Sequence, residues 1–346
     1  MANINARSPY IITINEAGQI ETKIEIFLWN GTGSAPASPT YTLSKLIPSA
    51  TSPSTYYDIS PYIREFIYHD TLQSQPTTIS NTPIYQWCNV LVKKYKKVTT
   101  SFATFGTDLN VKAFNGFGYY TDGYNPALSQ VHLPEGNYYY NPISNVGWVT
   151  VYTDTITKAR WTNLDTLVTQ EETMFSSVVR DISKVYNGWE DVGNKLEILD
   201  GSGVIWTSYF YPKEECRYIP VQVDFVNRFG AWQREWFFTA SFDTLSVDSN
   251  DYNLMQSSFA DYSVTEGQRK VFNANGKQSI KVNSDWVAES FKETIQQIML
   301  SERILVNELP AKLNTKTIDL QKQLNTRLIN YQLDFEFAFD TINTVI

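Results

Sequence analysis

The sequence is poor in the residues from which most catalytic and metal sites are built. Its 346 residues include only two cysteines and two histidines. A tetrahedral zinc site would need all four of them to converge from distant segments. The patterns HExxH, GxSxG and GxxxxGK followed by Ser or Thr are absent, as is a CxxC element. We therefore expect no metal, no cofactor and no enzymatic activity.

Charge is also sparse. The chain has 28 Lys and Arg against 36 Asp and Glu, which gives a net charge of −8. This balance excludes a nucleic-acid-binding surface over the whole protein, and we expect no direct contact with nucleic acid. No run approaches the ~18 apolar residues of a membrane span, and residues 1–9 lack the apolar core of a signal peptide. We expect a protein made in the cytoplasm, with no membrane partner.

Aromatic residues are abundant, at 14% of the chain. So many large side chains with few charges argue against disorder, and the length exceeds the ~250–300 residues of a single core. A Thr-, Ser- and Pro-rich stretch at 71–83 is typical of a linker. We predict an N-terminal β domain with a short helix (1–83), a central β-rich domain (84–245) and a C-terminal α+β domain (246–346).

Alternation of apolar and polar residues predicts many strands. It is clear in Ile20–Leu28, and strongest in 329–340, where six apolar residues stay in phase. Two apolar runs around Asp200–Gly203 predict a hairpin. The predicted fold class is mainly β with a C-terminal α+β part: β-sandwich-like modules plus one amphipathic helix packed on a sheet.

Two helices are predicted. Ser60 as N-cap and Pro61 at the first helical position indicate a short helix that ends near His69. N-cap candidates at 283–285 precede a helical stripe that ends near Ser301. The stretch 173–186 fits either a helix or strands, and we leave both alternatives open.

Few residues suggest chemistry. We interpret His69 as a helix-terminal residue and His132 as a loop residue without a partner. Glycoside hydrolysis needs only two carboxylates, but the adjacent acids are better interpreted as solvated charge; they are Glu171/Glu172, Glu190/Asp191 and Glu214/Glu215. Residues 248–251 resemble the start of a calcium loop but lack its later ligands. The lysines within 93–97 fit a charged strand end or a guarded sheet edge.

Two aromatic-rich segments, interpreted as loops, are the best candidates for contacts with a protein or a glycan. Tyrosine presents an apolar ring and a hydroxyl group, which suits large and partly polar interfaces. We expect the core to claim about half of these side chains. The candidates are Phe117, Tyr119, Tyr120, Tyr124, Tyr138, Tyr139 and Tyr140.

Three stretches, Asp58–Ile67, Asp224–Trp232 and Asn330–Ala338, resemble structural proteins in the tail, neck or baseplate of tailed bacteriophages. The overall composition, rich in Asn, Thr and Tyr, is similar too. The resemblance implies a virion component that assembles with copies of itself into a symmetric ring or tube and contacts other tail or neck proteins. It carries no catalytic residues.

Two alternatives remain open. The aromatic segments fit a carbohydrate-binding or receptor-binding module of a phage fibre. The paired acids fit, less well, a virion-associated enzyme that degrades glycans.

Overall fold

The computed structural model describes residues 3–31, 33–47, 53–69, 80–81, 86–127, 129–142, 147–153, 157–174, 178–184, 192–215, 217–255, 263–265, 267–319 and 328–343. The protein is mainly β, with a β-sandwich-like sheet architecture and a helix near the C-terminus, which confirms the predicted fold class. The chain divides into two compact units. The first comprises Met1–Glu214 and Phe225–Glu235, and the second comprises Glu215–Asp224 and Trp236–Ile346.

The strands of the first unit are short to medium in length. In chain order, β1 to β16 are Ile4–Asn5, Ile11–Ile14, Glu21–Trp29, Tyr41–Leu46, Thr55–Asp58, Ser80–Asn81, Trp87–Lys97, Phe102–Thr104, Leu109–Phe114, Asn137–Tyr140, Gly147–Thr153, Thr157–Asn163, Thr169–Met174, Val178–Lys184, Asn194–Asp200 and Gly203–Pro212. Two further strands, β17 (Val221–Val226) and β18 (Trp232–Phe237), each contribute residues to both units. The second unit contains β19 to β25, at Phe242–Asn253, Arg269–Asn283, Val287–Ala288, Ile304–Val306, Leu309–Leu313, Leu328–Ile329 and Gln332–Asp340.

The largest sheet of the first unit has six strands in the order β1-β9-β7-β3-β4, with β8 paired to the end of β7. Alternation in β3 buries Ile24 and Ile26 completely, as the sequence predicts. These side chains share one core with residues of β2, β5 and the first helix, among them Ile14, Tyr57 and Ile63. The core therefore lies between the sheet and a second layer.

The remaining sheets of the first unit are smaller. One has five strands in the order β10-β16-β15-β12-β13, and another has three in the order β11-β14-β6. The predicted hairpin is confirmed, because Asp200 of β15 pairs with Gly203 of β16 across two turn residues. The ambiguous stretch 173–186 resolves as strand where it is described, in β13 up to Met174 and in β14.

Five strands of the second unit are neighbours in one sheet, in the order β22-β23-β25-β20-β19. The predicted strand at 329–340 is confirmed as β25, which starts at Gln332. Leu333 and Phe335 are fully buried, whereas Phe339 at the end of the strand is 41% exposed. The in-phase residues are therefore buried at the start of the strand and become exposed toward its end, where the strand leaves the core.

Both predicted helices exist but are shorter than predicted. The first, α1, is Ser60–Phe66, so it ends three residues before His69. Ser60 is not its N-cap: Ile59 takes that position, and Ser60 Oγ donates to the carbonyl of Ser8 at 2.6 Å. The second, α2, is Lys292–Leu300, preceded by a 3-10 turn at Glu289–Phe291.

The predicted start of the second helix is wrong for a tertiary reason. Val287–Ala288 forms strand β21, which pairs with β24 and so removes these residues from the helix. The N-cap candidate Ser284 instead accepts a hydrogen bond from the Tyr331 backbone at 2.8 Å through its hydroxyl group. Backbone pairing with distant residues has overridden the local signal.

The predicted three domains differ from the two observed units. Strands from both sides of residue 83 share the six-stranded sheet. The stretch 71–83 therefore does not separate two sheets; of its residues, the structure describes only Ser80–Asn81. Among the helices that the structure describes, none has the length and apolar character needed to cross a membrane.

Candidate interaction surface

The first aromatic segment, 114–124, lies between β9 and β10 and contains a 3-10 turn at Tyr120–Asp122. Phe117 is buried, with the guanidinium of Arg7 4.7 Å from its ring centroid. Tyr119 is half-buried and meets Phe117 edge to face at 5.7 Å. Its other neighbour is the guanidinium of Arg228, at 4.8 Å from the ring centroid. The base of this segment is therefore a packed cluster of rings and cations.

Two tyrosines of the same segment face solvent. Tyr120 is fully exposed, and Tyr124 is 60% exposed. The hydroxyl oxygen of Tyr124 accepts a hydrogen bond from the Ile11 backbone, and its ring lies 6.3 Å from that of Tyr10. Tyr124 is thus fixed in place, which suits a contact residue because little side-chain entropy is lost on binding.

The interpretation of Tyr138–Tyr140 as a loop is wrong. These residues form strand β10, parallel to β16 at the edge of the five-stranded sheet. Tyr140 is buried, and Tyr138 stacks on Phe210 at 5.3 Å and donates to the Pro134 carbonyl at 2.6 Å. Pairing with β16 supplies a long-range constraint that the local Gly and Pro content did not reveal.

Strand pairing assembles a row of tyrosine rings that the sequence analysis missed. Tyr139 is 49% exposed and lies opposite Tyr211, with ring centroids 6.0 Å apart. Tyr211 stacks on Tyr209 at 6.3 Å and 9°. The sequence did contain a signal for this row. The alternation in the predicted hairpin strand places Tyr209 and Tyr211 on one face and Phe210 on the other. We call Tyr139, Tyr209 and Tyr211 the tyrosine row.

A tight turn supports the first aromatic segment. Asn227 accepts hydrogen bonds from the backbones of Phe229 and Ala231 through its side-chain oxygen, at 3.0 and 3.2 Å. Gly230 takes a positive φ of 79°, and a Cβ there would lie 2.7 Å from the Asn115 backbone nitrogen. Glycine is required because two backbones meet at this point.

A buried polar chain leads away from this turn. The Asn227 side-chain amide donates to the His132 carbonyl at 2.8 Å and to Gln233 at 3.1 Å. The Gln233 amide donates in turn to Glu235 at 2.8 Å. Burial raises the pKa of Glu235 to about 7, although the bond from Gln233 opposes the shift.

His132 is a buried core residue. Its ring meets Phe114 edge to face at 4.6 Å and stacks on Phe229 at 5.9 Å. Within the described residues, neither ring nitrogen has a hydrogen-bond partner. Burial lowers the pKa of His132 to about 3, so the ring is neutral at physiological pH. Aromatic contacts on two sides and burial suit packing better than proton transfer.

His69 is buried too, rather than lying at a helix end. Its Nε2 is 2.9 Å from the Gly230 carbonyl, and its ring lies 6.4 Å from that of Trp232. The predicted interaction with the helix dipole is wrong because α1 ends at Phe66. The residue instead ties the segment after the helix to the turn at Gly230.

Two carboxylates of the candidate pairs, Glu171 and Glu215, have structural partners. Glu171 faces Lys158 at 3.3 Å and Arg160 at 3.7 Å. Glu215 accepts a hydrogen bond from the Arg217 backbone at 2.9 Å. Glu190 and Asp191 lie outside the described residues. These contacts favour the interpretation as structural charge over a pair of catalytic acids.

Glu197 of the five-stranded sheet forms ion pairs with two neighbouring cations. It pairs with Lys195 at 2.5 Å and Arg160 at 2.9 Å. Burial by itself raises the pKa of Glu197, but the hydrogen bonds from these two cations outweigh it and lower the pKa. The carboxylate is therefore held ionised, as a structural anion.

The lysine cluster within 93–97 lies at the end of β7. Lys97 pairs with Glu21 at 3.0 Å, and Lys96 pairs with Glu16 at 2.9 Å. The alternative of a guarded sheet edge is wrong, because β7 lies between β9 and β3. The charged-strand-end interpretation fits these pairs.

Cysteine and acid clusters give no metal site where the structure describes them. Cys88 is buried, and burial raises the pKa of its thiol to about 12. Cys216 lies outside the described residues. Asp248–Asp251, which resembled a calcium loop, belongs to strand β19. In the described ranges, no group of three or more His, Cys, Asp or Glu side chains could hold a metal ion.

The exposed candidates are thus Tyr120, Tyr124 and Tyr139. The half-buried Tyr209 and Tyr211 extend Tyr139 into the tyrosine row. No protein-family model matches this chain, and no curated protein sequence does so either.

Proposed function

We propose that this protein is a non-enzymatic structural subunit of a bacteriophage particle, in its tail, baseplate or neck. The observation that carries the proposal is an edge strand, β19, whose twelve residues are all exposed. A long, uncovered edge pairs readily with another chain, and soluble monomers usually shorten or block such edges. We therefore expect this strand to contact other protein chains.

The state of the polar residues supports the same proposal. His132 and His69 are packed in the core, and Glu171 and Glu197 are bound by cations. These groups hold the fold together. The exposed tyrosines and the strand edge, in contrast, are free to contact other molecules.

The three stretches that resemble phage structural proteins have clear structural roles. Ile59 and Ile63 of the first are fully buried, and Leu333 and Phe335 of the third are buried in β25. In the second, Asn227 organises the tight turn at Gly230. The resemblance therefore rests on residues of the scaffold, which supports a shared kind of fold and leaves the position in the particle open.

Mass spectrometry of purified particles tests the proposal. The phage that encodes this chain is purified on two successive density gradients, and peptides are quantified against the major capsid protein. We expect a constant copy number that follows the particles through both gradients, whereas a non-structural phage protein is depleted. Loss of this chain during purification would overturn the proposal.

The tyrosine row favours glycan binding as a second candidate function. Rings that stack at a strand edge offer flat apolar surfaces with hydroxyl groups beside them, which suits sugar rings. On an array of host surface glycans, we expect Tyr139→Ala and Tyr211→Ala each to weaken binding about 3- to 10-fold. Tyr56→Ala, at an exposed tyrosine of β5, is the control. If wild-type protein binds no glycan, this candidate is excluded.

A further inference from the structure

The hairpin of β19 and β20 forms an arm, which we define as Phe242–Asn253 and Arg269–Lys281. Its strands pair in antiparallel register from Phe242 opposite Lys281 to Asn253 opposite Arg269. The register shifts between Asp248 and Asn250, which marks a bulge in the middle. At ~3.3 Å per residue, the twelve residues of β19 span about 40 Å.

In the part of the chain that the structure describes, the outer half of the arm has two uncovered edges. The first is β19 itself, at the end of its sheet. The second belongs to β20, whose pairing with β25 begins only at Lys277. Among the described strands, residues 269–274 of β20 pair with β19 alone. A two-stranded ribbon of this kind is marginally stable by itself, since each strand lacks a second neighbour.

The arm also exposes apolar side chains. Val247 is 62% exposed and Val271 is 63% exposed. Tyr252 and Phe272 meet edge to face at 5.5 Å, yet both remain nearly half exposed. Covering these groups would gain hydrophobic free energy in addition to the backbone hydrogen bonds of the edges.

Charge is segregated between the two strands. The charged residues of β19 are all acidic, and they are Asp243, Asp248 and Asp251. Those of β20 are all basic, and they are Arg269, Lys270, Lys277 and Lys281. One uncovered edge of the outer arm is therefore acidic and the other is basic.

This segregation decides between two ways in which copies could pair. If β19 of one copy paired with β19 of another, acids would face acids, and like charges opposite each other in a sheet are destabilising. If β19 of one copy pairs with residues 269–274 of the next, acids face bases. The second arrangement is head to tail, and it repeats from copy to copy.

We propose that the arm binds a second copy of this chain, with the acidic edge of β19 in one copy pairing with the basic edge at 269–274 in the next. The contact adds strands to a continuous sheet and covers the exposed rings of Tyr252 and Phe272. Because it leaves one free edge of each kind, it forms a closed ring or an open filament. This inference rests on the proposed function, since it names the partner and the surface of assembly.

Two charge-reversal variants test the pairing. Asp248→Lys with Asp251→Lys makes both edges basic, and Arg269→Asp with Lys270→Asp makes both edges acidic. Sedimentation velocity at ~50 mM salt measures assembly, where screening is weak. We expect the wild type to assemble, each variant by itself to stay monomeric, and an equimolar mixture of the two to recover assembly. Only a mixture places acidic edges against basic ones.

A matched control carries the same charge change elsewhere. Asp108→Lys with Asp165→Lys alters two exposed acids of the first unit, and we expect it to assemble like the wild type. Circular dichroism and thermal unfolding establish that all variants fold. A variant that does not fold cannot restore assembly in the mixture. Restored assembly therefore supports the pairing even without the loss of assembly in the single variants.

The outcomes separate this inference from the proposed function. If the charge-reversal variants assemble as well as the wild type, or if the mixture stays monomeric, the arm contact is overturned. A wild type that is monomeric at both 50 and 500 mM salt, up to ~100 µM, overturns it as well. In each case the mass spectrometry of purified particles still decides whether the chain is a virion subunit.

Discussion

The six-stranded sheet of the first unit and the arm of the second are built from the same local structure. Both contain long antiparallel strand pairs, β3 with β7 in continuous register and β19 with β20 with one bulge. In β3 and β7, one face of the strand is buried, as Ile24 and Val90 show. In the arm, all twelve residues of β19 are exposed. Backbone pairing is thus present in both regions, but only the sheet is covered by a second layer.

The difference has a physical consequence. A strand pair gains little net stability from its hydrogen bonds, since water satisfies the same groups in the unfolded chain. Burial of apolar surface, at roughly 25 cal/mol per Å², supplies most of the driving force. The sheet obtains this contribution within the first unit. Among the residues that the structure describes, none covers the outer half of the arm, so its exposed apolar residues indicate an interface.

Glycine substitutions should show the largest contrast between the two regions. Gly230→Ala places a Cβ 2.7 Å from the Asn115 backbone nitrogen at a positive φ. We expect a loss of about 3 kcal/mol or more in the free energy of unfolding, because neither backbone can move away. Urea denaturation measures the loss.

Gly276→Ala in the arm is the control for this contrast. Gly276 itself is buried, and a Cβ there would come within 2.7 Å of the Cδ1 atom of Leu245 and 3.1 Å of the Oγ1 atom of Thr341. Both atoms belong to exposed side chains that can rotate away. We expect a loss below about 1 kcal/mol. Equal losses at the two glycines would contradict this contrast, because they would mean that the surroundings of Gly276 yield as little as those of Gly230.

The buried polar chain should make stability depend on pH through two opposing effects. His132 has a pKa of about 3 when folded against 6.5 when unfolded, so the unfolded state binds more protons and stability rises with pH over that range. Glu235 has a pKa of about 7 when folded against 4.5 when unfolded, so stability falls as pH rises over its range. Between pH 4.5 and 6.5 the two effects cancel.

Single substitutions should uncover each effect. In Glu235→Gln, the free energy of unfolding should rise by about 1.4 kcal/mol per pH unit between pH 4.5 and 6.5. In His132→Leu, it should fall by about the same amount per unit. Urea denaturation at several pH values measures both slopes, about 3 kcal/mol across the range. Parallel pH profiles in the two variants and the wild type would refute the assignment.

A matched pair of valines gives the smallest contrast. Val90→Ala in β7 removes two fully buried methyl groups and should cost about 2 kcal/mol, including the cavity. Val247→Ala removes the same groups from the arm, where the side chain is 62% exposed. In the monomer it should cost less than about 0.5 kcal/mol. A larger cost at Val247 would mean that the arm is already covered in the monomer.

Local pattern predicted some elements well and others poorly. The alternation in β3 and β25 and the hairpin of β15 and β16 are visible because each strand has one buried face. The strand at Tyr138–Tyr140 was not predicted, because three tyrosines in a row show no alternation of apolar and polar residues. Of the candidate site, Tyr120, Tyr124 and Tyr139 are exposed as a contact role requires. The contact role itself remains a prediction.

Other features depended on residues far apart in the chain. Tyr139 and Tyr211 meet only because β10 pairs with β16, and strand pairing over such distances has no local signal. Val287 leaves its helical pattern because it pairs with Ile329. The burial of His132 requires Phe114 and Phe229 to close around its ring.

The amino-acid sequence by itself determined that this protein is β-rich, sparsely charged and poor in His and Cys, since composition and short-range periodicity follow from neighbouring residues alone. Only the tertiary structure decided which strands are covered and which stay open. The alternation of apolar and polar residues specifies that a strand has two faces, but the layer that covers one of them comes from elsewhere in the chain. For the outer half of the arm, no residue within the described ranges supplies that layer.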